Sequence, residues 1–191
     1  MIPLNTPNLI TLSRIVTIPF IVGVFYFPDD LVSFTAKNIT ATAIFIFAAV
    51  TDWLDGYLAR KLNQMSAFGA FLDPVADKLF VVGALVILLF LGRVDPLVAL
   101  IIIGREIAIS ALREWMAQVG QAKSVAVAFI GKLKTVVQMV AIPLLLYSDW
   151  LFDVVDCQWL GTILINVAAV LTVASMLYYL RKALPYALNS R

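Results

Sequence analysis

Apolar residues dominate the chain in six long stretches, at about 9–27, 38–60, 69–91, 96–117, 125–147 and 159–181. Each stretch is long enough for a helix that crosses the hydrocarbon core of a bilayer, which takes about 20 apolar residues. Polar breakers separate several of them, for example Pro28-Asp29-Asp30 and the run from Gly92 to Pro96. Since backbone groups inside a bilayer must be hydrogen-bonded within the protein, the pattern predicts an all-α membrane protein with six transmembrane helices.

The composition supports a membrane location. Hydrophobic residues make up 62% of the 191 residues and charged residues only 14%, and the mean hydropathy is +0.98. So few charged residues cannot cover the surface of an ordinary soluble domain. The first apolar stretch lacks a small-residue cleavage site, so we expect it to be retained as a span. With no internal repeat and no low-complexity segment, a single domain over residues 1–191 is expected.

The placement of charge predicts the orientation in the membrane. The net charge of +2 does not indicate nucleic acid as a partner. Basic residues gather at one set of span ends: Arg60, Lys61, Lys78, Arg113, Lys123, Lys132, Lys134, Arg181, Lys182 and Arg191. The opposite ends are mainly acidic. The positive-inside rule therefore places the basic ends and both termini in the cytoplasm.

Two residue types are scarce or missing. The chain has no histidine, which excludes histidine metal ligands and histidine acid–base catalysis. Cys157 is the single cysteine, so no disulfide can form within the chain. Proton transfer must therefore use a carboxylate, lysine, tyrosine or water.

Four aspartates lie at the predicted cytoplasmic ends of the second and third spans. Asp52 and Asp55 share one helix face, and Asp73 and Asp77 share another, because residues three or four apart are neighbours on a helix. The short link between the spans predicts antiparallel neighbours whose carboxylates face each other. Such a cluster needs positive compensation. Oxygen ligands suit Mg²⁺, Mn²⁺ or Ca²⁺, and two divalent ions would balance four carboxylates.

Ion pairing is the alternative explanation of these aspartates. Arg60, Lys61 and Lys78 could neutralise them at the membrane surface. Acids on two adjacent apolar helices nevertheless favour a functional site. Small residues on the same faces would let a ligand approach the backbone, or would let helices pack closely: Gly56, Ala59 and Gly69. The planar guanidinium of Arg60 suits a phosphate.

The spacing of these residues resembles a known signature. The run Asp52-Trp53-Leu54-Asp55-Gly56-Tyr57-Leu58-Ala59-Arg60, eight residues, then Gly69-x-x-x-Asp73-x-x-x-Asp77 resembles that of the CDP-alcohol phosphotransferase family in all eight fixed positions. The resemblance implies that the four aspartates hold two metal ions and that Asp77 is the general base. It also implies that Asp52, Gly56, Ala59, Arg60 and Gly69 bind the CDP part of the donor.

A second set of residues concerns the acceptor alcohol. Gly104-Arg105-Glu106, Arg113-Glu114-Trp115, Gly131-Lys132-Leu133-Lys134 and Pro7-Asn8-x-x-Thr11-x-x-Arg14 resemble the bacterial members of this family that use CDP-diacylglycerol and glycerol 3-phosphate. An anionic acceptor needs a cationic pocket, for which the candidates are Arg105, Arg113, Lys132 and Lys134. Arg105 is deep for a charge, which indicates an aqueous cavity. Positive-inside anchoring is the alternative for the lysines.

The expected protein is therefore an enzyme of the bacterial cytoplasmic (inner) membrane with a polar cavity facing the cytoplasm. It would use Mg²⁺ or Mn²⁺, CDP-diacylglycerol and glycerol 3-phosphate, in contact with membrane lipids. The family resemblance also implies a homodimer. Serine, inositol phosphate and phosphatidylglycerol stay open as acceptors. A cation transporter with the four aspartates along its ion path is the alternative from another class.

Overall fold

The structure, a computed structural model, describes residues 6–61, 67–121 and 129–189, with side chains at 11–52, 72–121 and 129–188. In these ranges six helices follow one another: α1 (Thr6–Val24), α2 (Phe34–Lys61), α3 (Ala67–Phe90), α4 (Pro96–Gln118), α5 (Phe129–Tyr147) and α6 (Cys157–Asn189). The prediction of an all-α protein with six helices is confirmed. Strands β1 (Trp150–Leu151) and β2 (Val155–Asp156) form a hairpin between α5 and α6.

The helices have the surface of a membrane protein. In the described ranges, three segments are long and apolar enough to cross a bilayer: Phe34–Asp52, Phe129–Tyr147 and Cys157–Leu188. Thr11–Val24 is a shorter apolar segment. Large apolar side chains such as Phe47, Phe90 and Val170 stand exposed on the outside of the bundle, where they would be costly in water and suit lipid.

Most helix boundaries lie within three residues of the sequence prediction, and two described boundaries differ by more. Helix α2 begins at residue 34 instead of 38, and α6 continues to residue 189 instead of 181. The prediction followed the apolar stretch, and a helix can continue beyond its apolar part through polar residues such as Arg181 and Lys182. The hairpin was not predicted, because two-residue strands are too short to show an alternating pattern. Its turn places Phe152 and Asp153 at φ of 53° and 56°, as a tight hairpin turn requires.

The bundle has one main apolar core. Helix α1 packs against α2 and α3, α5 packs against α2 and α6, and α4 packs against α6. Phe45 of α2 stacks on Phe80 of α3 with 4.6 Å between ring centroids, which makes these two helices neighbours. Leu85 and Ile142 are fully buried in the same core. Helices α2 and α3 thus meet through long side chains, and α1 packs closely against both of them.

Buried cations close the end of the bundle that carries the hairpin, here called the hairpin end. Arg93, between α3 and α4, donates to the carbonyls of Leu145 (3.0 Å) and Leu146 (2.7 Å) and to Asn38 Oδ1 (2.9 Å). The two carbonyls belong to the last turn of α5, where helical partners are missing. Burial lowers the pKa of Arg93, but an arginine stays charged in proteins. Arg93 therefore ties α2, α5 and the α3–α4 turn together.

Close packing of α5 and α6 depends on Gly161. A Cβ at Gly161 would lie 2.8 Å from Leu145 Cγ and 3.2 Å from the Leu145 backbone nitrogen. We expect Gly161→Ala to destabilise the protein by about 1–3 kcal/mol, the usual cost of overpacking. Gly23→Ala is the matched control, since a Cβ there meets nothing within 4 Å. The measurement is thermal unfolding in detergent, and equal melting temperatures for the two variants would contradict the packing argument.

Candidate functional site

Arg14 of α1 links the two helices that carry the aspartates. Its Nη2 pairs with Asp52 Oδ1 on α2, and its Nη1 pairs with Asp77 Oδ1 on α3. The Arg14 side chain is 6% exposed, whereas those of Asp52 and Asp77 are 44% and 58% exposed. The guanidinium is therefore buried beneath two carboxylates that stay open to the outside. We call Arg14, Asp52, Asp73 and Asp77 the carboxylate cluster.

Thr11 brings the third aspartate into the same cluster. Its hydroxyl donates to Asp73 Oδ1 at 2.6 Å, and it lies three residues before Arg14, on the same face of α1. Contacts between α2 and α3 also show their relative direction. Phe45 stacks on Phe80, whereas Asp52, later in α2, shares Arg14 with Asp77, which comes earlier in α3. The helices are antiparallel. From the sequence, Thr11 and Arg14 were visible only as part of a resemblance.

The remaining predicted donor residues fall where only the backbone is described. Asp55, Gly56, Ala59 and Arg60 lie in the last turns of α2, and Gly69 lies in the first turn of α3. Their side chains lie outside the described residues, so their roles stay predictions. The helical backbone does place them at the end of the bundle that carries Asp52 and Asp73, which we call the carboxylate end.

A cavity of about 440 Å³ opens beside the carboxylate cluster. It lies between α3, α4 and α5, and the charged residues that line it are Asp77, Lys78, Arg105, Glu106, Arg113 and Lys134. Four cations thus outnumber two carboxylates in the described lining. Asp77 belongs both to this cavity and to the carboxylate cluster. An anion in the cavity would therefore meet compensating charge close to a carboxylate.

The cations of the cavity are held in place by buried partners. Lys134, 3% exposed, pairs with Glu106 Oε1, and Arg105 Nη1 lies 3.3 Å from the same oxygen. Adjacent residues of a helix do not face each other, but these long side chains still meet. Arg105 Nη2 also donates to Ser175 of α6 at 3.2 Å. Buried charges need such pairing, so Glu106 and Ser175 fix the position of Arg105.

Tyr179 of α6 lies against both arginines. Its ring centroid is 5.8 Å from Arg105 Cζ and 5.3 Å from Arg113 Cζ, and its hydroxyl is 3.4 Å from Arg113 Nη2. Tyr179 is fully buried. The sequence did not indicate a role for this tyrosine. The signal that could have found it is the four-residue spacing of Ser175 and Tyr179, which places both on one face of α6.

Three of the four predicted acceptor residues come together, and one does not. Arg105, Arg113 and Lys134 line the cavity. Lys132 is exposed and lies outside the lining of this cavity. The physical reason is the helical period: residues two apart point to different sides of α5, so Lys132 cannot share the buried face of Lys134.

The donor atoms of the carboxylate cluster suit a hard divalent cation. Asp52, Asp73 and Asp77 offer carboxylate oxygens, which Mg²⁺ and Mn²⁺ prefer. In the described ranges no three acidic residues converge as a metal-binding group, since Arg14 lies between Asp52 and Asp77. Three carboxylates still exceed one guanidinium in charge, and the side chain of Asp55 is not described. The residues present therefore fit a divalent cation in their chemistry.

Comparison with known proteins agrees with this chemistry. Residues 4–175 match the sequence model of the family described as CDP-alcohol phosphatidyltransferase. The chain therefore belongs to the CDP-alcohol phosphatidyltransferase family, a family of transferases.

Individual relatives are similar over nearly the whole length. Proteins of Escherichia coli (strain K12) and Shigella flexneri serotype 5b (strain 8401) are 50% identical over 181 residues, which is 94% of this chain and 94% of each relative. A protein of Salmonella choleraesuis (strain SC-B67) is 49% identical over the same span. Each is named CDP-diacylglycerol–glycerol-3-phosphate 3-phosphatidyltransferase.

The carboxylate cluster gives a prediction that does not depend on catalysis. Arg14→Gln should destabilise the protein by about 1–2 kcal/mol, because half-exposed carboxylates would repel each other without the guanidinium. Mg²⁺ should then raise the melting temperature of the variant more than that of the unmodified protein, since the ion replaces the lost charge.

Lys37→Gln is the matched control, because Lys37 pairs with Asp29 at the hairpin end. Thermal unfolding is measured with EDTA and with Mg²⁺ for each protein. If Mg²⁺ shifts the two variants equally, the carboxylates do not form a shared cation site.

Proposed function

We propose that the protein transfers the phosphatidyl group of CDP-diacylglycerol to glycerol 3-phosphate and so forms phosphatidylglycerophosphate and CMP. The observation that carries this proposal is the position of Asp77, which belongs both to the carboxylate cluster and to the cationic cavity. A reaction between a metal-bound diphosphate and an anionic alcohol needs these two environments side by side. The names of the relatives give the same reaction.

Asp77 is the residue that supports proton transfer. A carboxylate is the natural base in a site without histidine, and the Asp77 side chain is more than half exposed beside the cavity. Asp77 accepts the proton of the acceptor hydroxyl. The hydroxyl oxygen then forms a bond to the phosphorus that carries the diacylglycerol. The bond from that phosphorus to the oxygen of CMP breaks, and CMP leaves with the electron pair.

The carboxylates and the last turns of α2 would bind the donor, CDP-diacylglycerol. Asp52, Asp55, Asp73 and Asp77 would hold divalent cations, Mg²⁺ or Mn²⁺ and two in number. When bound, these ions supply charge stabilisation for the diphosphate and for departing CMP. Gly56, Ala59 and Gly69 leave space near the backbone for the nucleotide, and Arg60 binds its phosphate.

The cavity favours a phosphorylated acceptor. Its cations exceed its carboxylates by two, close to the charge of about −1.5 to −2 that a phosphate monoester carries at neutral pH. Arg105, Arg113 and Lys134 bind this phosphate, with Tyr179 and Glu106 holding the cations in position. Serine carries no net charge and would leave the cationic excess unbalanced. Inositol phosphate has the same charge but is larger, so an acceptor comparison separates it.

The proposed topology is one membrane domain over residues 1–191. Its six helices cross the cytoplasmic membrane of a bacterium with both termini in the cytoplasm. The carboxylate end, which also carries most of the basic residues, faces the cytoplasm. The cavity is then open to the cytoplasm, which supplies the water-soluble acceptor. The tails of CDP-diacylglycerol stay in lipid, against the exposed apolar side chains. Homodimer formation belongs to the same proposal.

Replacement of the proposed base, Asp77, should lower the turnover rate. Asp77→Asn is expected to lower the kcat of CMP release by about 10²–10⁴-fold, the usual contribution of a general base. The assay uses purified protein in detergent, CDP-diacylglycerol and Mg²⁺, with glycerol 3-phosphate, serine or myo-inositol 1-phosphate. Asp153→Asn, in the turn of the hairpin, is the control and should keep full activity. Release of CMP with a different alcohol alone would contradict the proposed acceptor.

Tyr179 should affect acceptor binding through its ring. Tyr179→Leu removes the aromatic face from two arginines, and we expect the KM for glycerol 3-phosphate to rise about tenfold. Tyr179→Phe keeps the ring and should raise KM by no more than about threefold. Tyr26→Leu is the control, because Tyr26 is exposed between α1 and α2 and lies outside the cavity lining. Equal KM values for the two Tyr179 variants would show that the ring face does not hold the arginines.

A further inference from the structure

Gln138 of α5 has a buried acceptor atom that the proposed reaction does not yet use. Its side chain is 2% exposed, and it lines the cavity beside Lys134, one helical turn away. In the described part of the chain, its Oε1 has no hydrogen-bond partner. Leaving a buried carbonyl oxygen without a partner is unfavourable. The Gln138 side chain lines the cavity, and a rotation of its amide would turn Oε1 toward a ligand group there.

The chemistry of Oε1 selects the kind of group. A carbonyl oxygen accepts hydrogen bonds and cannot donate them, so it needs an O–H or N–H donor. A phosphate dianion carries no proton and would be repelled by it. The cations of the cavity meet that phosphate instead. A neutral hydroxyl fits Oε1, and it would have to belong to the same molecule whose phosphate lies at Arg105 and Lys134.

The proposed acceptor has one hydroxyl more than the reaction consumes. In glycerol 3-phosphate the primary hydroxyl is the less hindered nucleophile, which leaves the secondary hydroxyl at the middle carbon. That hydroxyl becomes buried in the cavity and needs an acceptor. The cavity then offers one partner for each part of the molecule: cations for the phosphate, Asp77 for the reacting hydroxyl, and Gln138 for the remaining one.

We propose that Gln138 is a specificity-determining residue that accepts a hydrogen bond from the non-reacting hydroxyl of the acceptor and so selects a vicinal-diol phosphate. This inference rests on the proposed function. Gln138 touches the substrate but takes no part in bond making or proton transfer. Its contribution therefore distinguishes acceptors that differ by one hydroxyl, and it should not alter the requirement for CDP-diacylglycerol.

The test compares glycerol 3-phosphate with 3-hydroxypropyl phosphate, which lacks only the middle hydroxyl. CMP release is measured with CDP-diacylglycerol and Mg²⁺ for the unmodified protein and for Gln138→Met, a variant of similar shape without the carbonyl. The unmodified protein should prefer glycerol 3-phosphate by about tenfold or more in kcat/KM, since a site built for a hydroxyl rejects the analogue that lacks it. In Gln138→Met the preference should fall to about twofold or less.

Thr42→Val is the matched control. Thr42 Oγ1 is also buried without a partner in the described residues, but it lies on α2 outside the cavity lining. This variant should keep the tenfold preference. Melting temperatures in detergent show whether each variant is folded.

The outcomes separate the two proposals. Absence of CMP release by the unmodified protein with glycerol 3-phosphate would overturn the proposed function itself. Activity with both acceptors at equal kcat/KM in the unmodified protein would overturn the role of Gln138 alone, and this measurement needs no variant. The same holds if Gln138→Met is folded and active but keeps the tenfold preference.

Discussion

The arrangement of the functional end depends on one buried guanidinium. Arg14 connects α1 to α2 through Asp52 and to α3 through Asp77. A buried charge without partners is strongly unfavourable, so the arginine requires the two carboxylates as much as they require compensation. The apolar core below fixes which helices are neighbours, but an apolar contact such as Phe45 on Phe80 is not directional. The ion pairs therefore set where the carboxylates stand relative to each other.

The two ends of the bundle use buried cations in different ways. At the hairpin end, Arg93 has its contacts with helix carbonyls and Asn38, all within the protein. At the carboxylate end, Arg105 and Arg113 are held by Tyr179, Ser175 and Glu106, while the Nε atom of each has no partner in the described residues. A cation that donates to carbonyls and amides of the protein serves structure. A cation with donors to spare beside a cavity is ready for an anion.

Much of the fold followed from the sequence, because the constraint of the bilayer is simple. Six apolar stretches gave six helices, and the link between α2 and α3 gave their antiparallel contact. Helical spacing placed Asp73 and Asp77 on one face of α3, and the position of Arg105 within an apolar stretch predicted its burial. The sequence did not predict two features that lack a periodic signal, namely the hairpin and the C-terminal end of α6. Lys132 and Lys134 could not be distinguished from the sequence, because a basic residue near a helix end looks the same whether it faces a cavity or lipid headgroups.

Contacts between distant parts of the chain could not be predicted either. Thr11 and Arg14 precede their partners by 38 to 63 residues, and nothing local marks an arginine on an apolar helix as the partner of a given aspartate. Tyr179 was overlooked for the same reason, since an aromatic residue near a helix end is typical of membrane interfaces. Only packing shows that its ring lies between two arginines.

The carboxylate cluster and the acceptor cavity lie mostly in different parts of the chain, which affects how acceptor specificity can change in evolution. The first three helices carry the carboxylate cluster, whereas the acceptor cavity takes most of its lining from α4 and α5, with Asp77 as the shared residue. Under the proposed function, a new acceptor would require substitutions mainly in the second half of the chain. The bond-breaking machinery in the first half could be inherited unaltered, so new headgroup chemistry would arise by divergence of three helices.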